Sequence, residues 1–144
     1  WKGLRLTGFY DSDHYVQDAK RERFLANATF EHPYFNAGFD YLEARDQTQI
    51  TRPEVPRNGW SAWVTPRSPI GLEAIFRYDL LNTNTDARPK PKKKRTIAGL
   101  AYWPPLSGGK SVAFLLDFED VEFESMTPLP PRERRYALHT LFSF

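Results

Sequence analysis

Eight stretches of this sequence alternate apolar and polar residues with a period of two, and no stretch carries the 3.6-residue period of a helix. The clearest is Ile70, Leu72, Ala74, Phe76, Tyr78 and Leu80, interleaved with Gly71, Glu73, Ile75, Arg77 and Asp79. Successive side chains of a strand point to opposite faces, so one face here is wholly apolar while the other carries charge in mid-strand. The same alternation places Leu4, Leu6, Gly8 and Tyr10 on one side of the first segment and Phe24, Ala26, Ala28 and Phe30 on one side of the second. Later segments repeat it with Phe35, Ala37, Phe39 and Tyr41, then Trp60, Ala62 and Val64, then Thr96, Ala98, Leu100 and Tyr102. Val112, Phe114, Leu116 and Phe118 follow, and residues 136–144 close the series, with Tyr136, Leu138, Thr140, Phe142 and Phe144 opposite Ala137, His139, Leu141 and Ser143. Around Glu119 and Asp120 the phase slips, because Val121 and Phe123 take over the apolar side, and a β-bulge is expected there.

The connections alternate as strictly as the residues. Polar residues 11–22 make a long one, although their charges could instead prolong the flanking strands beyond a membrane, and His32-Pro33 makes a tight one. The polar stretch after Arg45, with Pro53, Pro56 and Asn58-Gly59, is long, and residues 65–69 are short. Residues 82–95 are long and end in a basic run, 104–109 form a tight turn, and a Pro-rich stretch through Pro128, Pro130 and Pro131 is long again. The expected fold is therefore all-β, an antiparallel up-and-down meander of about eight strands. Alternate connections of a meander lie at one end of the sheet, so the long charged loops share one rim and the short turns share the other.

At 144 residues the chain is read as one domain spanning 1–144. A net charge of +2 gives no case for nucleic acid, and the absence of Cys excludes disulfides and thiolate metal sites. There is no apolar run of about 18 residues, which excludes a membrane-spanning helix but not a membrane β-barrel, whose strands alternate. Both a lipid-facing barrel and a soluble, lipocalin-like barrel with its apolar side inward give this alternation. The aromatics favour the first: Tyr10, Phe30, Phe35, Tyr41, Trp60, Tyr78, Tyr102, Phe142 and Phe144 lie near strand ends, while Ala26, Ala28, Ala37 and Ala74 occupy the middles. Membrane interfaces collect aromatics in this way. The expectation is a transmembrane β-barrel in the outer membrane of a Gram-negative bacterium. Because the chain starts at Trp1 with neither an initiator Met nor a signal segment, it reads as a processed chain or as a piece of something longer.

On that reading Arg5, Arg23, Asp40, Glu73, Arg77, Asp79, Asp117, Glu119 and His139 face a lumen, where they either line a channel or pair with one another across a filled interior. Arg88, Lys90, Lys92, Lys93, Lys94 and Arg95 form an outer basic loop, either a patch that draws anions or lipopolysaccharide phosphates, or simply a solvated loop. His14, His32 and His139 have no ligand spacing, and no Gly-rich phosphate loop, Ser-His-Asp ordering or carboxylate dyad stands out. Neither an enzyme, a cofactor nor a resident metal is expected.

Asn58-Gly-Trp-Ser-Ala-Trp-Val, residues 72–79 with Glu73, Arg77, Tyr78 and Asp79, residues 95–103 with Gly99, Leu100 and Tyr102, and the terminal Phe144 together resemble the C-terminal part of the phosphate-selective porin (O/P type) family. The resemblance covers roughly residues 58–144. It implies a barrel of about sixteen strands, usually trimeric, passing anions or other small solutes, of which this chain supplies about half. It also implies that Phe144 is an assembly signal read by the barrel-assembly machinery. In the family, basic lumen residues carry selectivity, whereas acidic residues are at least as frequent here. The alternatives are a small closed barrel serving as a structural or interaction subunit of an envelope complex, and the lipocalin-like binder.

Overall fold

The computed structural model describes residues 3–16, 19–47, 49, 51–105 and 111–143. Its elements are eight strands: β1 (Gly3–Val16), β2 (Ala19–His32), β3 (Phe35–Asp46), β4 (Val55–Pro66), β5 (Leu72–Asn82), β6 (Lys92–Tyr102), β7 (Ser111–Glu124) and β8 (Glu133–Ser143). All neighbours are antiparallel, and the order in the one sheet is the order of the sequence. The all-β meander expected from the alternation is what forms, and no described residue is helical.

Three connections are shorter than the polarity of the sequence suggests. Residues 11–22 are mostly strand, because β1 continues to Val16 and β2 starts at Ala19. Asp11 stands opposite Arg23 and Asp13 opposite Arg21, and such opposite-charge pairs hold a hairpin together beyond its apolar part. β4 likewise starts at Val55, so Asn58-Gly59 lies within a strand rather than in a turn. Pro56 is tolerated there because its carbonyl, and therefore its nitrogen, faces Thr85 in a loop instead of a ladder partner. β6 starts at Lys92, which moves Lys92, Lys93, Lys94 and Arg95 out of the expected loop.

The expected bulge at Glu119 is absent. Pairing runs without a shift from Ser111 to Val121 against β8 and on to Glu124 against β6. Only the chemistry of the two faces changes: one face turns from Phe118 to Asp120 and Glu122, and the other from Glu119 to Val121 and Phe123.

Two glycines are fixed by close approach. Gly71 (φ 83°), in the tight β4–β5 connection, leaves only 2.1 Å between the place of a Cβ and the carbonyl oxygen of Trp103, whose N–H donates to the Gly71 oxygen at 2.8 Å. Gly38 sits opposite Trp63, whose indole lies across it; a Cβ there would come 2.4 Å from the ring.

The sheet is a single layer. Each strand contacts only its sequence neighbours, and β1 does not meet β8, so among the described residues the sheet stays open at both edges. Among the described residues no large side chain is fully buried; the buried positions are Ala19, Ala44, Gly59, Ser61, Ala113 and Val121. Water-soluble domains bury one sheet face against a second layer, and this sheet has none.

Candidate functional site

Direct cross-strand partners share a face, so the register sorts every strand residue onto one of two sides. One side is aromatic. Leu4, Phe30, Ala37, Val64, Phe76, Ala98, Phe118 and Tyr136 form one unbroken row across all eight strands. Adjacent rings touch along it and beside it: Phe39 and Trp60 stack at 6.2 Å, Trp60 and Tyr78 lie 5.4 Å apart, and Phe118 and Tyr136 5.0 Å. This side is open. Leu6 is 74% exposed, Leu100 62% and Leu138 72%.

The apolar band on this side has straight, sloping borders. Moving toward the long connections, and apart from the hydroxyls of Thr96, Thr140 and the tyrosines, the first polar residue on this side is Ser12, Glu22, Glu43, Asn58, Asn82, Lys94, Asp120 and Arg134 in β1 to β8 respectively. Along the pairing, this border drops two residues between Glu22 and Glu43, two between Asn82 and Lys94, and two between Lys94 and Asp120. The opposite border falls in parallel, from Phe30 in β2 to Phe142 in β8, six residues beyond the Tyr136 that shares Phe30's row. Six residues across seven strand spacings is about 20 Å in about 34 Å, so the strands cross the band at about 30°. Within it, β1, β2, β3, β7 and β8 each span seven residues, as in Leu4–Tyr10 and Phe24–Phe30, or about 20 Å along the strand.

The other side carries the charges. All nine residues expected to face a lumen, Arg5, Arg23, Asp40, Glu73, Arg77, Asp79, Asp117, Glu119 and His139, lie on it. The structure joins most of them into ladders along the wall. Asp79 accepts from Arg77 Nε at 2.8 Å and from Arg95 Nε at 2.6 Å. Arg95 then reaches Glu119 at 3.6 Å, and Glu119 reaches Arg135 at 3.6 Å, so one chain of charges spans β5 to β8. His139 Nε2 lies 2.8 Å from Asp117, Asn27 donates to Asp40 at 2.5 Å, Arg23 meets Asp46 at 3.1 Å, and Arg5 meets Glu31 at 2.7 Å. Glu73 bridges to Arg67 through the backbone and joins no ladder. These carboxylates are shielded: Asp46 is 13% exposed, Asp79 18% and Glu119 20%. These carboxylates are thus more sheltered than the leucines of the other side, while Arg5, Arg135 and His139 are as open as those leucines.

Sequence reasoning missed the partners Glu31, Asp46 and Arg135, and it assigned Arg95 to a loop. Arg95 stands directly opposite Asp79, and Arg135 directly opposite Glu119, so the register alone would have found them. Of the expected basic loop, Arg88 and Lys90 remain outside strands, and Arg88 donates to the carbonyls of Thr85 and Ala87. Lys94 pairs with Glu124, and Lys93 lies 5.6 Å over the Phe123 ring. Phe144 lies outside the described residues.

Past the apolar band, Arg132 hydrogen-bonds Asp120 and lies 2.8 Å from Glu122, with Arg134 3.6 Å from Asp120. The Arg132 hydrogen bond holds the Asp120 carboxyl below the usual carboxylate range. The Lys94 ammonium does the same to Glu124, which in turn raises Lys94. Among the described residues no three His, Asp or Glu side chains converge as metal ligands. On the charged side, a concavity of about 330 Å³ opens over Gly59 between Leu25, Leu42 and Leu81.

Comparison with family models, with curated proteins and with solved structures returns no match for this chain.

Proposed function

We propose that this chain forms wall of an outer-membrane β-barrel through which small solutes diffuse passively. The observation that carries the reading is the sloping band: an exposed apolar face with parallel borders, set against charges with shielded carboxylates on the reverse. A tilt of about 30° is close to the 35–45° of outer-membrane strands, and aromatic borders of this kind mark lipid interfaces. A soluble barrel with its aromatics inside would have the leucines sheltered and the carboxylates open, whereas here the leucines are open and Asp46, Asp79 and Glu119 are sheltered.

The ion ladders favour a channel over a small plugged barrel. An eight-stranded barrel has room only for its own side chains, which meet across the interior. Here the charges pair between neighbours along one wall, an arrangement suited to a wide, wet lumen. Lipid tolerates no open sheet edge, so β1 and β8 need strands beside them in the membrane. Because Arg5, Arg23, Arg77, Arg95 and Arg135 each face a carboxylate, the lumen field is nearly balanced and selectivity between anions and cations is weak.

The test is single-channel conductance of the detergent-extracted protein in a planar bilayer. Discrete ohmic steps with a reversal potential near zero in a salt gradient are expected. A folded, heat-modifiable protein that inserts but gives no steps would overturn the channel reading, and a monomer stable in detergent-free buffer would overturn the membrane reading.

A further inference from the structure

The concavity over Gly59 has a chemistry that the ladders do not use. On the charged side, Phe9, Leu25, Leu42, Gly59, Leu81, Lys93 and Phe123 form one continuous row. It is an apolar stripe, interrupted where Gly59 contributes no side chain, lying beside the polar row that contains Asp40, Ser61, Asp79 and Arg95. A stripe of leucines on a water-facing wall is costly unless something apolar visits it.

Lys93 stands in this row and Arg57 beside it, and these two cations differ from Arg5, Arg23, Arg77, Arg95 and Arg135 on the same side. Arg57 and Lys93 have no carboxylate within ion-pair distance among the described residues, whereas Arg5, Arg23, Arg77, Arg95 and Arg135 do. Lys93 lines the concavity and is held against the wall by the Phe123 ring. Arg57 stands two residues from Gly59 on the same side, and its Nε is buried without a hydrogen-bond partner. Of the two acids in the lining, Asp79 is neutralised by two arginines, and Asp40 keeps its charge and accepts a hydrogen bond from Asn27, while Arg77, Arg95 and Lys93 leave the lining with a net positive charge.

We propose that this concavity is a binding site for a small amphiphilic monoanion, a carboxylate on a compact aromatic or branched hydrocarbon body. The carboxylate engages Lys93, with Arg57 as the second cation at the rim, and the body lies on Leu25, Leu42 and Leu81. A volume of about 330 Å³ falls at the lower end of small-molecule sites, about 300–1,000 Å³, which limits the guest to one ring or a short branched chain. The site sits level with Trp60 and Leu80, at the long-connection border of the apolar band, and so meets a solute as it enters. This assignment names a solute class for the channel and rests on that reading.

The test adds sodium benzoate, sodium acetate or phenethylammonium chloride to the chloride current through the full protein. Benzoate is expected to reduce the current saturably, acetate and phenethylammonium not to do so. Lys93→Gln should raise the half-blocking benzoate concentration at least five-fold, and so should Leu42→Asn, with heat-modifiability showing that both variants fold. A current indifferent to benzoate, equally blocked by phenethylammonium, or blocked alike in both variants overturns the site while leaving the channel standing. Should no current appear, calorimetric titration of the detergent-folded protein with benzoate decides the site alone: binding lost in Lys93→Gln upholds it, and no binding overturns it.

Discussion

Replacing Leu100 by Arg sets the two possible surroundings of the aromatic side against each other. Leu100 is 62% exposed, lies mid-band in β6, and has Ala74 and Leu116 as its direct cross-strand partners. In water, exchanging so open a Leu for Arg changes stability by no more than about 0.5 kcal/mol, and removes an apolar liability. Against lipid at mid-depth the same exchange costs about 2–4 kcal/mol. That is about a 30- to 700-fold loss in the folding equilibrium. Leu129, 63% exposed in the β7–β8 connection and outside the band, is the matched control and should accept Arg without effect in either setting. The assay is reversible urea unfolding from phospholipid vesicles, followed by tryptophan fluorescence. A Leu100→Arg midpoint equal to that of Leu129→Arg would refute the lipid-facing assignment of the whole row.

Three further outcomes follow from the two-sided wall. With single-tryptophan variants, brominated lipid should quench Trp60, on the aromatic side, several-fold more than Trp63, which lies across Gly38 on the reverse; equal quenching contradicts the sidedness. Asp79→Asn should cost about 2 kcal/mol in the same urea assay, because it removes the charge that Arg77 and Arg95 share, and the freed guanidinia should shift the reversal potential toward anions. The Asp120 carboxyl, lowered by the Arg132 hydrogen bond, contributes stability that is present above the ordinary carboxylate range and lost only as pH falls through its depressed folded value. Carbon-13 NMR of the Asp120 carboxyl should show the titration moving upward in Arg132→Gln, and an unmoved titration would contradict the pairing.

The apolar band was legible because within it the two sides differ in polarity, so period two shows directly in the sequence of Leu4–Tyr10 or residues 70–80. Beyond the band β1 and the start of β6 are polar on both sides and alternation vanishes, although hydrogen bonding continues. That is why residues 11–16 and 92–95 read as loops but form strand. The same crossing of the border explains the false bulge: at Asp120 the aromatic side turns charged just as Val121 turns the reverse apolar, which imitates a shift of phase without any change in pairing. That Arg5, Arg23, Asp40, Glu73, Arg77, Asp79, Asp117, Glu119 and His139 share one side was legible from their place in each strand. Their partners were not, since whether Arg95 meets Asp79 and Arg135 meets Glu119 depends on register, and register is fixed by connections whose lengths the polarity misstated. The unpaired state of Lys93 and Arg57 was beyond reach for the same reason.

The slope of the band has a topological meaning. Followed along its hydrogen bonds from Leu6 in β1, a row ends on Arg134 in β8, yet the border marked by Arg134 in β8 is marked in β1 by Ser12, six residues farther along. The apolar surface therefore winds around the sheet as a thread winds around a screw, and a level ring closes only by stepping across rows. Any strand laid against the free edge of β8 inherits this pitch: its own polar border must fall level with Arg134, which fixes how far it slides before its first backbone bond forms. In the proposed barrel, the height of the seam at this edge is thus set by the polar border that β8 carries.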